Sequence, residues 1–218
     1  MRCGVAMLAV AVLAASAGGC RLIQNASSPD AGAQTAGATA SSKLDVMAQE
    51  MWKARVLPYF KEKAIELSTL APAIKAGLDV AGKQYGLRPG GEGTPWSFAT
   101  HFAGKVVAAS TQTRAATATI DLDGDGKADA TLQLGPVIRG TALRDTLPFV
   151  NFSGFADQIE FASFSRALND HAYKTVLEAL PRDGLAGRQV SGLGALTMRT
   201  PSDEILITPV ALELGPTQ

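Results

Sequence analysis

The sequence predicts an α+β protein: a small N-terminal helical domain, then an OB-like β-barrel domain with one long helix. Three observations carry this. Residues 45–85 place apolar side chains at helical spacing. Two blocks, 96–138 and 188–212, hold short apolar and Thr-rich runs of strand character, and 155–180 between them is helical again. Runs of strands with segregated helices belong to α+β architecture. Five or six short strands joined by Gly-rich turns suit a small barrel of the OB kind. With 46% hydrophobic residues in 218, the chain has the apolar content of a globular protein. Twenty basic residues balance twenty acidic ones and aromatics are 6%, so neither a basic face nor a stacking platform for nucleic acid is expected.

The first element is an export signal, residues 1–19. Arg2 supplies a positive charge, and Gly4 to Ala17 is an uncharged, mostly apolar run. That run is shorter than the ~20 residues of a spanning helix, and it ends in small residues, as a secretory signal does. Ala17-Gly18-Gly19-Cys20 resembles the bacterial lipobox, with Ala17 where Leu is usual. Cys20 is therefore the expected lipidation site and mature N-terminus, carrying palmitate-type acyl chains. The plainer reading is an ordinary signal with an incidental cysteine. Cys3 leaves with the signal, so no thiol remains for a disulfide. Two or more acyl chains hold a protein stably on a membrane. The expected location is the periplasmic face of a bacterial membrane.

Residues 20–42 form the tether, rich in Ala, Ser, Thr and Gly as flexible linkers are. The helical domain is expected over 43–88. Val46, Met51 and Leu57 mark its first apolar face, with Pro58 and Pro72 as breaks and Gly86 as the end. Pro89, Gly90, Gly91 and Gly93 make a boundary loop. The OB-like domain is expected over 89–218. Its strands are predicted at 97–102, 105–111, 115–122, 130–138, 188–198 and 204–212, with a helix at 155–180.

Two motifs carry possible chemistry. Asp121, Asp123, Asp125 and Asp129 occupy positions 1, 3, 5 and 9 of a calcium loop, with Gly126 at the turn position. Position 12 is Leu132, so the bidentate Glu is missing. The flanks are strands, which excludes an EF-hand. A plain polar hairpin turn uses the same residues. The second motif is Gly135 to Asp145. Arg139 and Arg144, with Asp145, have the chemistry to hold a carboxylate or phosphate by bidentate bonds. Equally, they fix a turn by pairing with Asp145, Asp157 or Glu160.

The same stretch carries a family resemblance. Gly135-Pro136-Val137-Ile138-Arg139-Gly140-Thr141, with Arg144-Asp145, Gln158, Glu160 and Asn169, resembles a family of predicted periplasmic lipoproteins of unknown function found in sugar ABC-transporter operons. The resemblance extends to the lipobox, the Leu57-Pro58-Tyr59-Phe60 helix and Ile207-Thr208-Pro209-Val210. It implies a helical unit plus an OB-like domain and no established active site. Asp157 stands where the family tends to have Asn. Catalysis has little support otherwise. His101 and His171 are the only histidines, and no Gly-x-Ser-x-Gly elbow occurs. Two histidines fall short of a zinc set. The sequence therefore points to a non-enzymatic lipoprotein accessory to an ABC-type sugar uptake system, contacting the permease or its sugar-binding protein. The other reading is a small-molecule or calcium-binding envelope sensor. No cofactor is expected apart from possible calcium.

Overall fold

The computed structural model describes residues 43–216; the signal, Cys20 and the tether lie outside the described residues. Helix α1 spans 43–63, with a π-helical turn at Trp52–Val56 and an α-helical end at Leu57–Lys63. A two-residue strand β1 (Ile65–Glu66), helix α2 (Leu67–Ala76) and helix α3 (Leu78–Tyr85) follow. Then come β2 (Trp96–Ser110), β3 (Ala115–Asp121) and β4 (Ala130–Pro136). A short helix α4 (Ala142–Asp145) and helix α5 (Gln158–Ala172), which runs into a π turn at Tyr173–Leu177, precede β5 (Gln189–Met198) and β6 (Leu206–Leu214).

Five strands close on themselves in the order β2-β3-β4-β6-β5, with β5 returning to β2. The β4–β6 pairing is parallel and the others in the ring are antiparallel. This is the OB-like barrel, and α5 lies between its third and fourth strands. Closure depends on β2 serving two neighbours. Trp96 to Lys105 pairs with β5, and Lys105 to Ser110 pairs with β3. The partners change at Lys105, and the β2–β3 register shifts just beyond, between Val106 and Ala108. At the neighbouring Gly104 a Cβ would lie 2.4 Å from the Asp121 carbonyl oxygen.

Phe98, Phe102, Ile120, Leu132, Leu196 and Ile207 fill the barrel, and Leu67, Leu70 and Ile74 of α2 pack into the same core. A second core lies on the barrel wall. Leu44, Ala48, Trp52, Val56 and Phe60 of α1 meet Leu143, Leu147, Phe164, Leu168 and Ala172 there. The barrel contributes Ala99, Ala195 and Val210, and the two alanines are small enough for helices to approach closely. Helices 43–85 thus share both cores with the strands.

Several expectations are corrected. The buried face of α1 is 44/48/52/56/60; Val46 is 52% exposed. A strict four-residue repeat drifts about 40° per step on an α-helix. The wider π turn at Trp52–Val56 takes up that drift. Pro58 sits in the first turn of the resumed α-helical segment, where it is tolerated. Pro72, the sixth of the ten residues of α2, lies inside the helix without ending it, at the cost of one backbone hydrogen bond. The breaks fall instead at the extended Ala64 and at Gly77. The predicted strands 97–102 and 105–111 are one strand. The strand predicted to reach 138 stops at Pro136, whose bond to Gly135 is cis. Beyond it Val137 is 42% exposed.

Candidate functional site

The Asp loop joins β3 to β4. The Asp121 carboxylate accepts backbone N–H groups from Asp123 (3.1 Å), Gly124 (2.7 Å) and Gly126 (2.9 Å). Asp129 accepts from the Leu122 N–H at 2.9 Å. Gly124 and Gly126 have φ of 85° and 83°, which favours glycine. The N–H groups of Gly126 and Gly124 hold the Asp121 carboxyl below the usual carboxylate range. Carboxylate oxygens of Asp121, Asp123 and Asp129 lie within 4.8 Å of one another. Asp125 is not in that group; it pairs with Lys127 at 2.7 Å. The loop is thus a self-bonded hairpin turn that gathers three of the four predicted carboxylates.

The Gly135–Asp145 stretch is held from beneath. Buried Gln133 accepts the Arg139 N–H at 2.8 Å and donates to the Arg139 carbonyl at 3.0 Å and to Thr208 Oγ1 at 2.9 Å. Asn169 of α5 donates to the Gly140 carbonyl at 3.0 Å. Two buried amides therefore clamp this connection between β4 and α4, and Gly140 supplies the φ of 83° that it needs. The Arg139 side chain is exposed and has no hydrogen bond among the described residues. Arg144 behaves differently. Its Nε donates to Asp145 Oδ1 at 2.8 Å, with Nη2 2.6 Å from the same oxygen as an ion pair, and Thr141 Oγ1 donates to Asp145 Oδ2 at 2.5 Å. Its guanidinium lies 3.9 Å from the Phe161 ring centroid. The side chains of Arg144 and Asp145 are only 12% and 19% exposed.

Asp157 and Glu160 do not reach the arginines. They cap the start of α5 instead: Asp157 Oδ1 accepts the Glu160 N–H at 2.8 Å, and Glu160 Oε2 accepts the N–H of Ala156, the residue before the N-cap, at 2.6 Å. Gln158 follows in the exposed first turn. Arg144 and Asp145 line a cavity of about 310 Å³ that includes Ser97, Asn151, Phe152 and Phe161.

The two histidines lie apart. His101 Nδ1 is 2.6 Å from Glu66 Oε1 and ties β2 to β1. His171 packs against Trp52, ring centroids 5.0 Å apart. Burial, then Lys174 and Lys53, lower its pKa from the usual 6.5. The unfolded chain then takes up the proton first, so stability is complete above about pH 6.5 and falls as pH drops through the folded-state value. His171→Gln is expected to flatten the acid side of a melting-temperature profile between neutral pH and about pH 5. An unchanged slope would assign the acid sensitivity to other groups.

The fold has a solved counterpart. An OB-fold protein from Thermotoga maritima matches with a TM-score of 0.63 at 16% identity, over 78% of this chain and 97% of that one. No curated protein sequence matches. The sequence profile of the family described as predicted periplasmic lipoprotein (DUF2291) matches residues 9–213. The chain belongs to that family. Membership agrees with the lipobox reading and gives no catalytic residue. In this member, the resemblance-bearing Gly135–Asp145 stretch is first a structural clamp.

Sequence reasoning singled out Arg144, Asp145, Thr141 and Asn169 as site candidates; Gln133, Asn151, Phe152 and Phe161 lie in the stretch that carries the family resemblance and were given no site role. Gln133 had one local signal, a lone amide inside an apolar strand. The others meet the 89–97 loop only through the tertiary fold.

Proposed function

We propose that this protein is a non-enzymatic, lipid-anchored accessory of an ABC-type sugar uptake system, held by Cys20 on the periplasmic face of the membrane and touching the permease or its sugar-binding protein. The observation that supports it is the state of the polar groups. The acid loop is bonded to its own backbone, Arg144 is bonded to Asp145, and the histidines lie on separate elements. Among the described residues neither histidine ring is joined to a Ser or Thr hydroxyl, the pairing that a histidine-activated nucleophile needs. What remains is a rigid barrel with a cavity, suited to binding and contact. Membership of a periplasmic lipoprotein family fits the same place.

The test is cross-linking in living cells followed by purification of the tagged full chain. Recovery of a sugar permease or ATPase from wild type, and its loss with Cys20→Ser, is the expected result. Cys20→Ser should also leave the membrane fraction or accumulate as uncleaved precursor. A variant that is processed and still extracts with lipid would contradict the anchor.

The convergence of Asp121, Asp123 and Asp129 supports a second reading, a calcium-responsive envelope domain. Without the position-12 Glu, affinity is expected only in the ~10⁻⁴–10⁻³ M range. Millimolar calcium should then raise the melting temperature, and Asp123→Asn with Asp129→Asn should abolish the rise. A rise that survives both substitutions would place the ion elsewhere.

A further inference from the structure

We infer that the cavity beside α4 is a binding site for a neutral, hydroxyl-rich small molecule of monosaccharide size. The inference names a ligand class within the uptake reading above and rests on that reading for its biological setting, while the site itself is argued from its walls. The cavity, about 310 Å³, sits at the small end of ligand pockets. It forms where the 89–97 loop, α4 and the 150–161 segment converge.

Its walls combine aromatic faces with a prepared polar edge. Phe152 is 49% exposed and meets the Phe161 ring edge-on, centroids 5.6 Å apart, so its ring is open to a ligand. Phe161 is covered on one face by the Arg144 guanidinium. Asp145 is fixed through both oxygens, by Arg144 and by Thr141. Arg144 donates Nε to that carboxylate and holds Nη2 beside it as an ion pair, and its Nη1 has no hydrogen bond among the described residues. The lining therefore offers the unspent N–H donors of Nη1, a carboxylate with lone pairs remaining, and the Asn151 amide.

Charge selects the ligand. Arg144 and Asp145 are the only charged residues on the lining, and they neutralise each other. An anion drawn to Arg144 would meet Asp145 beside it, and a cation drawn to Asp145 would meet Arg144. A neutral molecule with adjacent hydroxyls suits both: one oxygen accepts from Arg144 Nη1, and a neighbouring hydroxyl donates to Asp145. The apolar C–H face of such a molecule matches an exposed phenyl ring.

The test is saturation-transfer NMR and melting of the full chain in detergent with millimolar D-glucose, D-galactose, D-ribose and myo-inositol, with gluconate as the anionic control. At least one neutral probe should bind, gluconate should not, and Phe152→Ala should weaken binding roughly tenfold. Phe152 is exposed enough for that variant to fold, and Asp123→Asn, distant in the fold, should leave binding unchanged. Failure of every neutral probe, preference for gluconate, or binding untouched by Phe152→Ala would overturn the site. Binding as expected in a strain whose sugar uptake ignores the protein would overturn the uptake reading and leave the site standing.

Discussion

Arg144→Ala is expected to destabilise the protein by about 2–4 kcal/mol in urea unfolding. The substitution leaves the Asp145 carboxylate in a mostly buried place with only Thr141 as a partner. It also uncovers the Phe161 ring. Burial decides the size: a solvent-exposed pair contributes only ~0–1 kcal/mol. Arg139→Ala is the matched comparison. Its side chain is exposed, and Gln133 grips the Arg139 backbone rather than the guanidinium. A change within about 0.5 kcal/mol is expected there. Equal losses in the two variants would mean that the pairing with Asp145 is not what stabilises this turn.

Gly192→Ala is expected to cost about 3 kcal/mol or more. Gly192 lies in the middle of β5, paired with Phe102 of β2 and Leu212 of β6. A Cβ there would sit 2.1 Å from the Ala211 carbonyl oxygen and 2.9 Å from the Phe102 ring. The first neighbour is backbone and the second is fully buried in the barrel, so neither yields cheaply. The strands must part where the barrel closes. Gly154→Ala serves as the control, because a Cβ there meets nothing within 4 Å. Similar melting of both alanine variants would contradict the tight β5–β6 approach.

Local signals were readable in the sequence and long-range ones were not. The Asp loop is a nine-residue feature with its own glycines, so its hairpin form follows from the residues themselves. The barrel class follows from short strands and turns, yet the double duty of β2 does not. The gap expected between strands 97–102 and 105–111 contains Gly104, whereas Gly104 is paired within one continuous strand that serves both neighbours. The phase of α1 was hidden by its π turn, which keeps residues four apart on one side for longer than an α-helix does. The Arg144–Asp145 pair is adjacent in sequence and was a natural candidate. The cavity it lines draws on residues from 89 to 161, and no local pattern places Phe152 opposite Ser97.

The measurement closest to the central claim is initial uptake of radiolabelled sugars at sub-saturating concentration, in cells lacking this protein and in cells with it restored. The account predicts slower uptake of at least one sugar carried by an ABC system. Wild type should restore it; Cys20→Ser and Phe152→Ala, both expressed at normal level, should not. Unchanged uptake of every such sugar in the deletion strain would contradict the account.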